Sequence, residues 1–192
     1  DTGFNTGEDI SYYITATDIH GNESDQSEVV NVSRSLSLQK VTLKDSTVNL
    51  ISLNVKQEDM STSLLLDKVA LMVNDEGDYY YPSYDIDQIG NIDKTMGYQV
   101  YIYDEGEDLD TTLDITGMPA SLHNILTLEA YKRNIISYIP QIESEPSFVF
   151  EQYIDNILLV KNDDGLFFAP HEGIITYLPY MSPGEGYYVY LK

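Results

Sequence analysis

The sequence predicts a mainly β protein, made of tandem duplicated antiparallel β modules with one short helix per copy and preceded by two further strands. Tyrosine is abundant, with 17 residues, and aromatic and β-branched residues favour half-buried strands. Several short segments alternate apolar and polar residues with the period of a strand. Three pairs of motifs recur in the same order, 85 to 89 residues apart, which is the pattern of an internal repeat.

The first predicted unit covers residues 1–33. Side chains alternate from Tyr12 to Thr17 as in a strand, a polar stretch from Asp18 to Ser27 turns the chain, and Val30 lies in a second strand. These residues resemble the last two strands of a fibronectin type III domain, whose end often reads Tyr-x-Val-x-Ala-x-Asp-x-x-Gly-Asn-Glu-Ser. The matching positions are Tyr12, Ile14, Ala16, Asp18, Gly21, Asn22, Glu23 and Ser24. The resemblance implies that other domains of a longer parent chain, or neighbouring copies, supply the remaining strands.

The repeat divides the rest of the chain into module 1, residues 34–103, and module 2, residues 122–192, with an acidic linker and connecting strand at 104–121. "NLISLNV" from Asn49 returns as "NIISYIP" from Asn134, and "GYQVYI" from Gly97 returns as "GYYVYL" from Gly186. The third pair is two acidic loops, "MVNDEGDYYYP" at residues 72–82 and "VKNDDGLFFAP" at residues 160–170. The changes in offset place small insertions in the loops of one supersecondary unit.

Each module is predicted to run from a first strand into the Asn-x-Ile-Ser strand, a short helix, a hairpin around the acidic loop and a final Gly-Tyr-x-Val-Tyr strand. The helix is expected at Ser61–Lys68 in module 1 and at about Pro146–Asn156 in module 2. In module 2, Ser144 or Glu145 suits the cap position, and proline fits the first helical turn.

These pieces resemble a duplicated β module found near the ends of secreted and cell-surface bacterial proteins. Its recurring elements are Gly-Trp-Asn-Leu-Ile-Ser, a Lys-Asn-Asp-Asp-Gly hairpin and Pro-Gly-x-Gly-Tyr-x-Val-Tyr. Lys161–Gly165, Pro183–Tyr190 and both Asn-x-Ile-Ser strands match, within roughly Val41–Leu191. Val48 and Arg133 stand where that module usually has Trp, so a packing or stacking role of the Trp is not carried over. The resemblance implies an extracellular or cell-surface location and a module architecture.

The acidic loops admit two interpretations. Asp75, Asp78, Asp163 and Asp164 offer carboxylate oxygens of the kind that bind calcium, the one cofactor that the sequence suggests. A calcium site needs roughly six or more oxygen ligands, however, and the EF-hand spacing is absent. Asn, Asp and Gly are also what a tight hairpin needs, because they tolerate positive φ. We expect two β-turns, with a calcium site as the alternative.

Tyr79, Tyr81 and Tyr84 are candidate ligand-binding residues, because aromatic rings stack on sugars. Alternation along a strand places Tyr79 and Tyr81 on one face and Tyr80 on the other, so at least one face is expected in the core. Module 2 has two phenylalanines at the equivalent places, which favours packing over recognition. Glycan binding is the alternative.

The amino-acid composition limits the classes of partner that the chain can be expected to bind. The chain has 32 acidic and 10 basic residues and a formal net charge of −22, which disfavours nucleic acids and anionic membrane surfaces. No apolar run approaches the ~18 residues of a transmembrane helix, so membrane insertion is not expected. The absence of Cys excludes disulfides and thiolate metal sites.

Catalysis finds little support, because the three histidines are scattered and no catalytic motif is present. We expect a non-catalytic extracellular segment, structural, adhesive or anchoring, of a larger secreted or surface protein, with a subunit of a polymeric appendage as one form. The alternative is a carbohydrate-binding accessory module of a secreted enzyme.

Overall fold

The computed structural model describes residues 9–33, 35–45, 47–62, 69–102, 110–123, 125–171, 174 and 176–192. The chain forms two compact units, Asp1–Leu36 and Ser37–Lys192. The prediction of a mainly β fold is confirmed. In chain order the strands are β1 (Asp9–Tyr12), β2 (Val30–Ser33), β3 (Ser37–Leu43), β4 (Asn49–Ile51), β5 (Val55–Lys56), β6 (Val69–Val73), β7 (Tyr79–Tyr81), β8 (Ile86–Asp87), β9 (Tyr98–Ile102), β10 (Thr111–Pro119), β11 (Arg133–Ser137), β12 (Ile157–Lys161), β13 (Phe167–Phe168) and β14 (Gly186–Leu191).

The N-terminal unit is a hairpin in which β1 and β2 pair antiparallel. The regular ladder ends at Tyr12, short of the predicted end at residue 17. Beyond Tyr12 the N–H groups of Ser24 and Ser27 still donate to Ala16 O and Ile14 O, but the return bonds go to serine hydroxyls instead of to backbone carbonyls. Ile14 N–H donates to Ser27 Oγ at 2.9 Å, and Ala16 N–H donates to Ser24 Oγ at 2.9 Å. Hydroxyl groups that bond to nearby backbone compete with regular sheet hydrogen bonds. The apolar side chains of this hairpin stay exposed within the described part of its unit, with Ile14 at 76%.

The C-terminal unit contains three antiparallel sheets among its described residues. Their strand orders are β3-β10-β5, β4-β9-β6-β7-β8 and β11-β14-β12-β13. The second sheet lies within module 1 and the third within module 2. The segment predicted as linker and connecting strand contributes β10, which pairs with β3 along seven residues. The preceding acidic stretch at 104–109 lies outside the described residues.

The sheets of modules 1 and 2 agree in strand order and register. β4-β9-β6-β7 and β11-β14-β12-β13 place equivalent strands side by side. Both sheets also carry a register shift at the same point of the ladder. The equivalent ladder pairs are Asn49–Val100 and Asn134–Val189, and the shifts lie between Val69 and Leu71 and between Ile157 and Leu159. Even the irregularity of the sheet is therefore the same in both modules.

The module 1 core has an additional layer. In β3 and β10 every second residue is buried, as expected for strands with one face on a core. Val41 and Leu43 from β3, and Leu113 and Ile115 from β10, pack into one cluster with the sheet residues Val69, Met72, Tyr98 and Val100. We call β3 and β10 the cover strands. The module 2 core cluster instead includes side chains from its helical and loop segments, Phe150, Leu178 and Met181.

The predicted helix of module 2 is a short α-helix, α1 (Pro146–Val149), followed by a 3₁₀ helix at Glu151–Asn156. Pro146 occupies the first turn, and Glu145 precedes it with extended backbone but makes no side-chain capping bond. The helix predicted at Ser61–Lys68 in module 1 falls largely on residues 63–68, which lie outside the described residues. None of the described helices is long and apolar enough to cross a membrane.

Candidate functional site

Each acidic loop is a hairpin turn organised by an asparagine. Asn74 Oδ1 accepts the N–H of Asp78 at 2.8 Å, and Asn162 Oδ1 accepts the N–H of Leu166 at 2.9 Å. The same pairs exchange backbone bonds, at 3.0 and 3.1 Å. The glycine in each turn has a positive φ, +94° at residue 77 and +82° at residue 165, which glycine adopts without steric cost. The loops thus have the turn geometry that their sequence predicts.

The four carboxylates proposed as calcium ligands are placed in different contacts. Asp78 Oδ2 accepts from Asn74 Nδ2 at 3.3 Å, inside its own turn. Asp163 and Asp164 reach module 1, as described below. Over the described residues, no three His, Asp or Glu side chains gather in a group that could hold a metal ion. The polar loop at Asp18 is also a local turn, because its carboxylate accepts the N–H groups of His20 at 2.8 Å and Asn22 at 2.9 Å.

The acidic loop of module 2 docks on module 1. Asp164 forms an ion pair with Lys44, and Asp163 Oδ2 accepts the backbone N–H of Leu50 at 3.3 Å. Burial by itself lowers the pKa of Lys44, but the hydrogen bond to Asp164 and the nearby carboxylates, including Glu185, raise it above its ordinary value. The carboxylates therefore act here as partners of a lysine and a backbone amide of the other module.

The acidic loop of module 1 lies near enough to a lysine of module 2 to affect its pKa, without a hydrogen bond to it among the described contacts. The pKa of Lys132 in module 2 is raised, first by its hydrogen bond with Glu129 at 2.9 Å and then by several charges, among them those of Asp75 and Glu76. Asp75 and Glu76 stand in the module 1 loop where Asp163 and Asp164 stand in the module 2 loop. Each loop thus places negative charge near a lysine of the other module.

Reciprocal backbone bonds join the modules. Ser52 N–H donates to Gly184 O at 2.9 Å, and Ser137 N–H donates to Thr95 O at 3.5 Å. Ser52 and Ser137 are equivalent in the repeat, as are Thr95 and Gly184. An interface in which equivalent groups exchange places is isologous, the kind that a two-fold axis generates. The contacts between the modules therefore have the reciprocal pattern of an isologous interface.

The glycines of the two Gly-Tyr motifs lie on this interface. A Cβ added at Gly97 would stand 2.5 Å from Ile136 O, and one added at Gly186 would stand 2.8 Å from Ile51 O. Ile51 and Ile136 are themselves equivalent in the repeat. Glycine is required at both places because the backbone of the other module approaches too closely for a side chain. Sequence reasoning assigned these glycines only to the start of a strand, although their presence in both copies was a usable signal.

A buried tyrosine follows each interface glycine. Tyr98 OH accepts the N–H of Asp93 at 2.6 Å, and Tyr187 OH accepts the N–H of Ser182 at 2.8 Å. Burial raises the pKa of Tyr98 to about 12 and also raises the pKa of Tyr187, which in addition donates to Glu185. Each hydroxyl fastens the turn that presents the glycine to the other module.

The asparagine of each Asn-x-Ile-Ser strand holds the preceding turn. Asn49 Oδ1 accepts the N–H of Lys44 at 2.6 Å, and Asn134 Oδ1 accepts the N–H of Glu129 at 2.7 Å. Both side-chain amides also donate to a carbonyl of the neighbouring strand, at 3.3 and 3.2 Å. Both asparagines are buried, so these bonds satisfy polar groups that would otherwise be costly to bury. The turn before Asn49 carries Lys44, which links this clamp to the ion pair with Asp164.

The candidate ligand-binding tyrosines have mixed environments. Tyr80 is buried in the module 1 core, whereas Tyr79 and Tyr81 are half-buried, in line with alternation along β7. The rings of Tyr81 and Tyr84 are in contact, with centroids 4.6 Å apart and planes inclined by 54°, and Tyr84 is 68% exposed. The structure brings two of the three candidates together as a tilted pair rather than a flat platform.

No family model, curated protein or solved structure matches the chain. The functional inference therefore rests on the contacts of this chain alone.

Proposed function

We propose that the chain is a non-catalytic, extracellular structural or adhesive segment of a larger secreted or cell-surface protein, in which two copies of one β module are fused into a single rigid body. The observation that carries this proposal is the reciprocal interface between the modules. The close backbone approach at Gly97 and Gly186 and the ion pair between Lys44 and Asp164 hold the copies together.

Several separate structural features that the two modules have in common support a duplication. The two sheets have the same strand order and the same register shift. Their asparagine clamps and their tyrosine-to-turn bonds have the same donors, acceptors and sequence spacing. Independent sequences would have to reach each of these solutions separately, whereas a duplicated module inherits all of them.

The contacts of the polar residues support a structural role. The acidic loops, the clamping asparagines and the buried tyrosines all have partners that hold turns or join modules. The net charge of −22 disfavours association with anionic polymers and favours solubility, which suits a segment exposed outside the cell. The resemblance of residues 12–24 to the end of a fibronectin type III domain supports a multidomain parent protein with an anchoring or adhesive role.

Surface labelling of the source cells tests the location. Antibodies raised against the full chain are applied to intact cells and, separately, to permeabilised cells, with an antibody to a cytoplasmic protein as the control. We expect labelling of intact cells at the level seen after permeabilisation. Labelling that requires permeabilisation would contradict the proposal.

The second candidate function is a carbohydrate-binding accessory module, which the exposed Tyr81–Tyr84 pair favours. Glycan-array binding by the chain, with Tyr84→Ala as the site variant and Tyr180→Ala as a matched exposed tyrosine, tests it. Binding that Tyr84→Ala abolishes and Tyr180→Ala retains would establish this function over the structural one. Absence of glycan binding leaves the structural role as the better account.

A further inference from the structure

The cover strands give module 1 a layer that has no counterpart among the described residues of module 2. In module 1, β3 and β10 pair along seven residues and bury Val41, Leu43, Leu113 and Ile115 against the sheet. All four side chains are at most 5% exposed. This arrangement shows how one copy of the fold closes this side of its core.

The corresponding segment of module 2 is unpaired among the described residues. Leu126 takes the place of Val41 and Leu128 that of Leu43, at the same offset of 85 that relates Asn49 to Asn134. Residues 125–128 belong to no strand, and no described segment of module 2 pairs with them in a sheet as β10 pairs with β3. Leu126 is 37% exposed where Val41 is 4% exposed, and the adjoining Ile125 is 89% exposed.

An apolar groove lies beside this segment. It has a volume of about 600 Å³, and its lining includes Leu126, Tyr138, Pro140, Phe150 and Met181. Tyr138, Phe150 and Met181 belong to the module 2 core, so the groove opens directly onto that core. Unpaired backbone next to an apolar groove is the combination that strand addition uses, because backbone bonds give affinity and alternate side chains fill the pockets.

We propose that this groove binds an extended strand of a polypeptide other than a second copy of this chain, antiparallel to residues 125–128, as β10 binds β3. The proposal rests on the equivalence of the two modules in the proposed function. In module 1, Leu113 stands opposite Val41, so the incoming strand places an apolar residue opposite Leu126. Its apolar residues recur at alternate positions, as Leu113 and Ile115 do.

The outward positions of the incoming strand are uncharged or basic. In module 1 the outward Asp114 is opposite Lys40 and forms an ion pair with it at 3.6 Å. Module 2 has Ile125 at the position of Lys40, which offers no partner for an acid. The net charge of −22 also favours a strand without negative charge, because charge complementarity selects partners.

Peptide binding to the full chain tests this proposal. The probe is a fluorescein-labelled peptide with the sequence of residues 111–119 and the substitution Asp114→Thr; the control peptide carries Leu113→Asp and Ile115→Asp in addition. We expect saturable fluorescence anisotropy with the probe and none with the control. Leu126→Asp in the chain weakens binding at least tenfold, whereas Leu158→Asp, at a half-exposed leucine of β12, leaves it unchanged.

Hydrogen exchange on the unsubstituted chain locates the bound strand and does not depend on a variant that folds. The probe is expected to protect the amides of residues 125–128 while those of β3 keep their protection. No saturable binding at millimolar peptide, or protection changes in β3 instead, would overturn the proposal. A chain that dimerises without peptide and protects residues 125–128 would identify a second copy as the occupant and would likewise overturn it. Surface labelling of cells is independent of these outcomes, so a failure here is distinct from a failure of the proposed function.

Discussion

Modules 1 and 2 share a sheet of the same strand order and register, yet different segments contribute the rest of their cores. Module 1 uses the cover strands β3 and β10, and module 2 uses the side chains of Phe150, Leu178 and Met181. The shared parts are those that face the other module or hold the turns that do so. The comparison indicates that contacts between the modules constrain their structures more than contacts with the outer layer do.

The largest effect is expected from filling the close contact between modules. Gly97→Ala puts a methyl group 2.5 Å from the backbone oxygen of Ile136, so the modules have to separate or distort. We expect a loss of about 3 kcal/mol in the free energy of unfolding, measured by denaturant titration. Gly186→Ala, with its contact at 2.8 Å, is expected to cost slightly less.

Gly90→Asn is the matched control for these substitutions, because nothing lies within 4 Å of a Cβ at Gly90 and its φ is +68°, which Asn tolerates. Its expected cost is below about 1 kcal/mol. If both interface variants behave like the control, the close approach of the modules is not a constraint.

The free energy of unfolding at alkaline pH tests how much the two buried tyrosines stabilise the fold. The folded state keeps the Tyr98 proton up to a pKa of about 12, against an ordinary value of 10.0, so between these values the folded chain holds more protons than the unfolded chain. Stability from this group is complete below pH 10 and is lost as the pH rises towards 12, by about 2–3 kcal/mol. Urea unfolding at pH 9 to 11.5 measures it.

Tyr98→Phe is less stable at neutral pH, because the N–H of Asp93 loses its acceptor, but its stability falls less steeply above pH 10. Tyr187→Phe is expected to flatten the profile in the same way, since the pKa of Tyr187 is also raised. A wild-type slope that neither variant changes would show that other groups cause the alkaline loss.

Substitution of the two clamping asparagines tests whether the turns that precede them contribute equally to stability. Asn49→Ala and Asn134→Ala each remove a buried amide and leave backbone N–H and C=O groups of the preceding turn without those bonds. We expect each to cost about 2 kcal/mol of unfolding free energy. Costs that differ by more than about 1 kcal/mol would mean that the two turns are not energetically equivalent.

Much of the local structure was predictable from the sequence, and the long-range contacts were not. Asn-Asp and Gly spacing predicted the two hairpin turns, and alternation predicted that Tyr80 lies on the opposite face of its strand from Tyr79 and Tyr81. Alternation did not indicate which of the two faces enters the core, and the structure buries Tyr80. Alternation also marks residues 111–119 as a strand, but it does not name the partner strand, because pairing with β3 depends on a contact about 70 residues away in sequence.

The acidic loops of the candidate site also show that long-range contacts could not be predicted from the sequence. Their composition allowed either a calcium site or a plain turn, and neither interpretation contains the docking of Asp163 and Asp164 on module 1. Nothing local in the loop distinguishes an acid that faces solvent from one that meets a lysine 120 residues away. The N-terminal hairpin differs from its prediction for a local reason, because the hydroxyls of Ser24 and Ser27 accept backbone N–H groups that a regular ladder would pair with carbonyls.

The smallest effect is expected from the ion pair between modules. Lys44→Ala and Asp164→Ala form a double-mutant cycle whose coupling energy is expected to be about 0.5–1 kcal/mol. The low value reflects the exposure of both side chains, 39% and 55%, because solvent screens such pairs. Raising the salt concentration to about 1 M should reduce the coupling. A coupling energy near zero at low salt would show that Asp164 does not stabilise the interface. The backbone bonds between the modules would then account for the contact.

Differential scanning calorimetry of the full chain tests most directly whether the two modules form one rigid body. Because Ser37–Lys192 is one compact unit joined by reciprocal bonds, we expect a single transition for both modules, with the calorimetric enthalpy equal to the van't Hoff enthalpy. In Gly97→Ala that transition should shift to lower temperature as a whole. Two separable transitions in the unsubstituted chain, one of which Gly97→Ala leaves in place, would show that the modules fold independently and would contradict the fused pair.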